Sequence, residues 1–208
     1  MNSTPNNSTP TRYSPMLVTL HWLLAILIIA NMFIGHTTAD DLADTNPEKI
    51  SYLKTHMLLG VLIFFLMCVR LLVRINTEKP APATAHNAFL DKLAVFTQYS
   101  LYACVFLMCL SGFTLAIETQ LPQIVSGDLA KPLPADIKNL TIFAIHGTTS
   151  LVLALLMLLH ISGALYHQFI LKDHLISRMS YGDRHAEPDS EHDTNQSETM
   201  TYQKPRTV

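Results

Sequence analysis

Four stretches of this chain carry no Asp, Glu, Lys or Arg: residues 13–39, 55–69, 93–117 and 139–171, which make up 100 of its 208 residues. The 14 Lys and Arg and the 16 Asp and Glu are crowded into the remainder. A helix on the surface of a soluble domain turns a polar, usually charged, face to water. Uncharged runs of this length offer no such face, which argues against a soluble globular domain, and their apolar content argues against a disordered chain. A formal net charge of −2 and the absence of a basic cluster give no electrostatic footprint for nucleic acid.

A helix needs about 20 mostly apolar residues to cross a bilayer. The runs supply spans at about 16–35, 56–75, 93–117 and 142–170, and an all-α, four-helix transmembrane bundle is the expected fold. The fourth span exceeds one crossing, so it tilts or emerges on the far side. The first could be read as a cleaved signal peptide, with Thr37-Thr38-Ala39 as a faint cleavage site. Its length and the lack of a basic leader beyond Arg12 favour a span. Residues 1–15 and 181–208 read as flexible polar tails flanking a membrane domain at 16–180. His185 and His192 belong to the second tail and read as solvated surface.

Lys and Arg set the expected orientation. The N-terminal tail, the loop between spans two and three and the C-terminal tail hold ten of them, against four (Lys49, Lys54, Lys131 and Lys138) in the other two loops. Both termini are therefore expected in the cytoplasm, with the chain in a bacterial inner membrane. Cys68, Cys104 and Cys109 all lie inside spans, where cysteine is usually a small apolar packing residue. No C-x-x-C-H motif marks covalent haem attachment.

Ionisable side chains inside spans are costly and are functional candidates by default. Here they are histidines: His21, His56, His146 and His160. His146 and His160 are 14 residues apart, close to four turns, so they share a face and differ in depth by about 21 Å. Counting from the span ends puts His21 at the depth of His160, and His56 near that of His146. Two depth-matched pairs, His21/His160 and His56/His146, are how a helical bundle builds cofactor sites from facing helices.

Two axial imidazoles on the iron of haem b fit this pattern. Such an iron has no open position, which points to electron transfer rather than substrate chemistry at the metal. Interhelical hydrogen bonding is the plainer alternative for any one histidine. A zinc or copper transporter would want carboxylates or a Cys/Met cluster beside the histidines, and no span core holds an Asp or Glu.

Arg70, Arg74 and Lys54 are candidate partners for haem propionates, although each also reads as an ordinary charged flank of a span. Gly60 and Gly112 could let a flat macrocycle approach a helix backbone. His167 and His174 continue the stripe from His160 at seven-residue steps. His167 lies about 31 Å along the helix from His146, too far for both to serve haems within one hydrocarbon core. It is a candidate for a proton path or quinone pocket at the cytoplasmic interface.

These residues resemble the bacterial cytochrome b561 family of inner-membrane dihaem cytochromes. The resemblance covers about residues 13–179. It is carried by Tyr13-Ser14 with His21-Trp22-Leu23; by His56 with Gly60, Arg70 and Arg74; by Tyr102 with Gly112; and by His146, His160, His167, Lys172-Asp173 and Arg178-Met179. It implies two haem b groups ligated by His21, His56, His146 and His160, and electron exchange with the quinone pool. Some members are regarded as taking electrons from superoxide. The resemblance departs at Gln98, where many relatives carry His, and at Cys109, where many carry Pro. Gln98 thus joins His167 as a candidate in a quinone or proton site.

The expected activity is a quinone-linked electron-transfer oxidoreductase of the respiratory chain. It would work between the quinone and an unidentified donor, with superoxide or quinol as candidates, as a free-standing chain or a homodimer. The alternative is a membrane-anchor cytochrome b subunit of a larger dehydrogenase.

Overall fold

The computed structural model describes residues 9–37, 47–127, 133–134, 136–182 and 184. The regular elements among them are helical: α1 (Pro15–His36), α2 (Pro47–Asn76), α3 (Ala88–Glu118), the short α4 (Leu121–Ser126) and α5 (Thr141–Tyr166), with a π-helical turn at His167–Leu171 and 3-10 turns at Ile137–Asn139 and Leu175–Met179. Four helices are long and apolar enough to cross a membrane, at Pro15–His36, Glu48–Asn76, Ala88–Glu118 and Thr141–Leu171.

The starts of α1 and α3 are fixed by local chemistry. Ser14 caps α1 by accepting from the Leu17 N–H, and Pro15 occupies the first turn, where its missing N–H costs nothing. Asn87 caps α3 by accepting from Phe89 and Leu90. The carboxylate of Asp91 in the first turn accepts from the Ala85 N–H and the Thr84 hydroxyl. Two helices overrun the charge-free runs: α2 begins at Pro47 and α3 at Ala88. A 31-residue helix is about 46 Å long, against a hydrocarbon core of about 30 Å. The charged ends, carrying Glu48, Lys49 and Lys54 or Asp91 and Lys92, therefore extend as helix into the headgroup region. The short α4, entered through a left-handed Gln120, was not expected from the sequence.

α1 packs on α2, α3 packs on α5, and α2 and α3 join the two hairpin-like pairs. The centre of the bundle is a cluster of Leu24, Ile63, Met67, Val105 and Leu153, flanked by side chains such as Phe106 and Met157. Packing rather than water exclusion drives helix association in lipid, and small groups permit it: the Cys109 thiol donates to the Gly60 carbonyl at 3.8 Å.

The described segments before α1 and after α5 meet at one end of the bundle, here the tail end, where α1 and α3 begin and α2 and α5 stop. A hook after α5 closes it. Arg12 donates to the Ser177 and Tyr181 carbonyls and to the Ser180 hydroxyl, the Trp22 indole N–H donates to the Met179 carbonyl at 2.9 Å, and Arg178 and Arg184 donate to the Ala81 and Glu78 carbonyls. Residues 11–14, 181, 182 and 184, expected as tail, are thus tied to the bundle, and Pro15, also expected as tail, opens α1; residues 1–8, 183 and 185–208 of the two expected tails lie outside the described residues. The histidine stripe stops at His167. Lys172 and His174 adopt left-handed backbone, which ends the helix and turns His174 out to an exposed position.

Candidate cofactor sites

The structure brings the four span histidines together in two pairs. His21 on α1 and His160 on α5 have ring centres 6.2 Å apart near the tail end. His56 on α2 and His146 on α5 have ring centres 6.1 Å apart near the far end. The apolar cluster around Leu24 and Leu153 lies between the two levels. α5 has its extensive backbone packing with α3, not with α1 or α2, yet both histidine pairs reach from α5 to those two helices. The space between the backbones is therefore spanned by imidazoles.

The spacing fits an intervening metal. Two metal–imidazole bonds of about 2 Å, plus roughly 1.1 Å from each nitrogen to its ring centre, put the two centres about 6 Å apart. The ring planes are inclined at 73° and 81°, and two imidazoles on one axis can take any mutual rotation.

The surroundings fit a flat group with acidic edges. At the far end, a Cβ on Gly35 would lie 2.8 Å from Cε1 of His56, and one on Gly112 would lie 3.2 Å from Cε1 of His146. Only glycine lets both rings sit so close to a neighbouring helix. At the tail end, Arg70 and Arg74 are buried at 8% and 9% exposure. Arg70 Nε donates to the Tyr102 hydroxyl at 2.9 Å and Arg74 Nη2 to Gln98 Oε1 at 2.8 Å, and both guanidinium groups stack on the Tyr102 ring. Among the described residues neither meets a carboxylate. Arg74 Nη1 and the Thr97 hydroxyl are buried without a hydrogen-bond partner. Buried donors are rarely left so, and a carboxylate is the group that an unpaired guanidinium nitrogen beside an unpaired hydroxyl would take.

Residues 12–182 match the sequence profile of prokaryotic cytochrome b561. The chain belongs to that family. It is 30% identical to cytochrome b562 of Cereibacter sphaeroides over 172 residues, 80% of this chain and 94% of that protein. It is 26% identical to cytochrome b561 homolog 2 of Escherichia coli over 180 residues, 83% and 93% of the two chains. It is thus a multi-pass bacterial membrane cytochrome of b type, a class whose chemistry is electron transfer at haem b.

The remaining candidates of this cytochrome divide. Lys54 is exposed, two residues before His56. A Cβ on Gly60 would meet Asn31 Nδ2 at 3.9 Å rather than a histidine. Gln98 and His167 have different partners, Arg74 and Asp173. His167 is buried, and its Nδ1 donates to Asp173 Oδ2 at 2.6 Å. Burial pushes the Asp173 carboxyl upward. The hydrogen bond and charge of His167, the Leu175 N–H and Arg178 outweigh that, so it is held below the ordinary carboxylate range.

Sequence reasoning missed Gly35, Thr97, Ser111 and Asn31. Ser111 Oγ lies 3.0 Å from His146 Nδ1, and the Asn31 carbonyl lies 3.1 Å from His56 Nδ1. A lone hydroxyl or glycine in a span is an available signal. Which ring it meets depends on the register between helices.

Proposed function

We propose that this cytochrome holds two haem b groups, one between His21 and His160 and one between His56 and His146, and carries electrons through the bilayer between a donor and the quinone pool. The observation that carries this is the pair of 6.1 and 6.2 Å imidazole separations, about four helical turns apart on α5. Haem b, when bound, would supply a one-electron redox couple.

The chain's own residues do the rest. His21, His160, His56 and His146 would hold the two haem irons. Gly35 and Gly112 make room at the far end. Arg70, Arg74 and Thr97 offer donors for propionates at the tail end, and burial of the two guanidinium groups favours an anionic partner over water. With both termini in the cytoplasm of a bacterial inner membrane, the tail-end site faces inward and the far-end site faces the periplasm. His167, which is bonded to Asp173 beyond the tail-end pair, would bind quinone or pass it a proton. Superoxide and quinol remain the candidate donors at the other face.

The test is a reduced protein in liposomes given a short-chain quinone. Rapid oxidation of the haem spectrum, slowed in His167→Ala with haem content unchanged, supports the reading. A protein that quinone does not oxidise overturns its quinone arm.

A further inference from the structure

The far-end histidines are gripped by their Nδ1 atoms, whereas among the described residues neither tail-end histidine has a hydrogen-bond partner on its ring. Nδ1 of His56 faces the Asn31 carbonyl at 3.1 Å. A carbonyl only accepts, so this nitrogen carries the proton. Nδ1 of His146 faces Ser111 Oγ at 3.0 Å. A serine hydroxyl has one proton and two lone pairs. The Ser111 proton goes to the Met108 carbonyl at 3.1 Å, which leaves Oγ to accept from His146. Ser111 is 3% exposed, so no bulk water could replace it.

We propose that Ser111 is a positioning residue of the far-end site. Its hydroxyl, turned by the Met108 carbonyl, fixes His146 as the Nδ1–H tautomer and presents Nε2 to the iron. Ser111 and Gly112 form one seat: the hydroxyl holds the ring, and the missing side chain next to it lets the ring approach. The inference rests on the dihaem reading.

Partners on the second nitrogen of a ligating histidine fix the ring and raise its basicity, and their loss typically weakens binding 10- to 100-fold. A more basic ligand favours the ferric state, so the far-end haem is held at a lower potential than it would have without the hydroxyl. The tail-end haem, without such partners, is the internal control.

The experiment uses the purified full-length holoprotein. Transfer of haem to excess apomyoglobin gives release rates, and a potentiometric titration gives midpoints. In Ser111→Ala, one release phase should quicken about tenfold, the lower end of the usual range. One midpoint should rise, with the other phase and midpoint unchanged, and Ser111→Thr should restore both. Ser111→Cys, alike in shape and a weaker acceptor, carries the same test if Ser111→Ala fails to accumulate. Unchanged release and midpoints, or an equal change at both haems, overturns the proposal. Fewer than two haems per wild-type chain overturns the dihaem reading itself, so the two failures are distinguishable.

Discussion

Asp173 accepts a 2.6 Å hydrogen bond from Nδ1 of His167 across the π-helical turn that ends α5. Its other oxygen accepts from the Leu175 N–H at 3.1 Å. One carboxylate thus ties the last buried histidine to the hook that covers the tail end. Because its folded pKa lies below the unfolded value of about 3.9, its contribution is fully present above that value and is lost as pH falls through the folded one. Asp173→Asn should therefore lower stability at neutral pH by about 1 kcal/mol. It should also blunt the acid destabilisation of the wild type below about pH 4. Thermal melts followed by circular dichroism across pH check this; parallel curves for the two proteins would contradict it.

The two histidine pairs should fail separately. His21→Ala or His160→Ala should remove the spectral contribution of one haem, and His56→Ala or His146→Ala that of the other. Reduced-minus-oxidised spectra of the four variants, compared with double variants within and across pairs, measure this. A within-pair double should look like its singles, and a cross-pair double should lack both haems.

Gly35 is the tightest seat in the bundle, since a Cβ there would lie 2.8 Å from the His56 ring. Gly35→Ala should displace that ring and cost about 1–3 kcal/mol of overpacking, with loss of the far-end haem alone. Gly60→Ala, with open contact at 3.9 Å, should keep both haems. Haem content of the two variants decides the matter.

Arg74 holds a buried nitrogen without a partner, whereas Lys54 is exposed. Arg74→Gln should weaken retention of the tail-end haem by about 1.5–3 kcal/mol, the usual worth of a hydrogen bond to a charged group. Lys54→Gln should leave haem retention unchanged. Haem transfer to apomyoglobin reads both.

The spans and the two histidine levels were legible in the sequence because one number, a rise of about 1.5 Å per residue, sets depth, and one period, about 3.6 residues, sets face. His146 and His160 could be placed by counting along a single helix. His174 could not, because the count assumes a helix that Lys172 breaks with a left-handed backbone. The extent of α2 was hidden because a helix continues as long as its backbone bonds do, past the last apolar residue to Pro47. Gly35, Thr97 and Ser111 were hidden for a third reason. Their roles depend on which residue of another helix stands opposite, and that register comes from packing of the whole bundle.

The central claim is two haems in one chain, and the haem-to-protein ratio tests it most directly. A pyridine haemochrome assay on purified full-length protein, with protein measured by amino-acid analysis, should give two b-type haems per chain. A ratio of one or zero would contradict it.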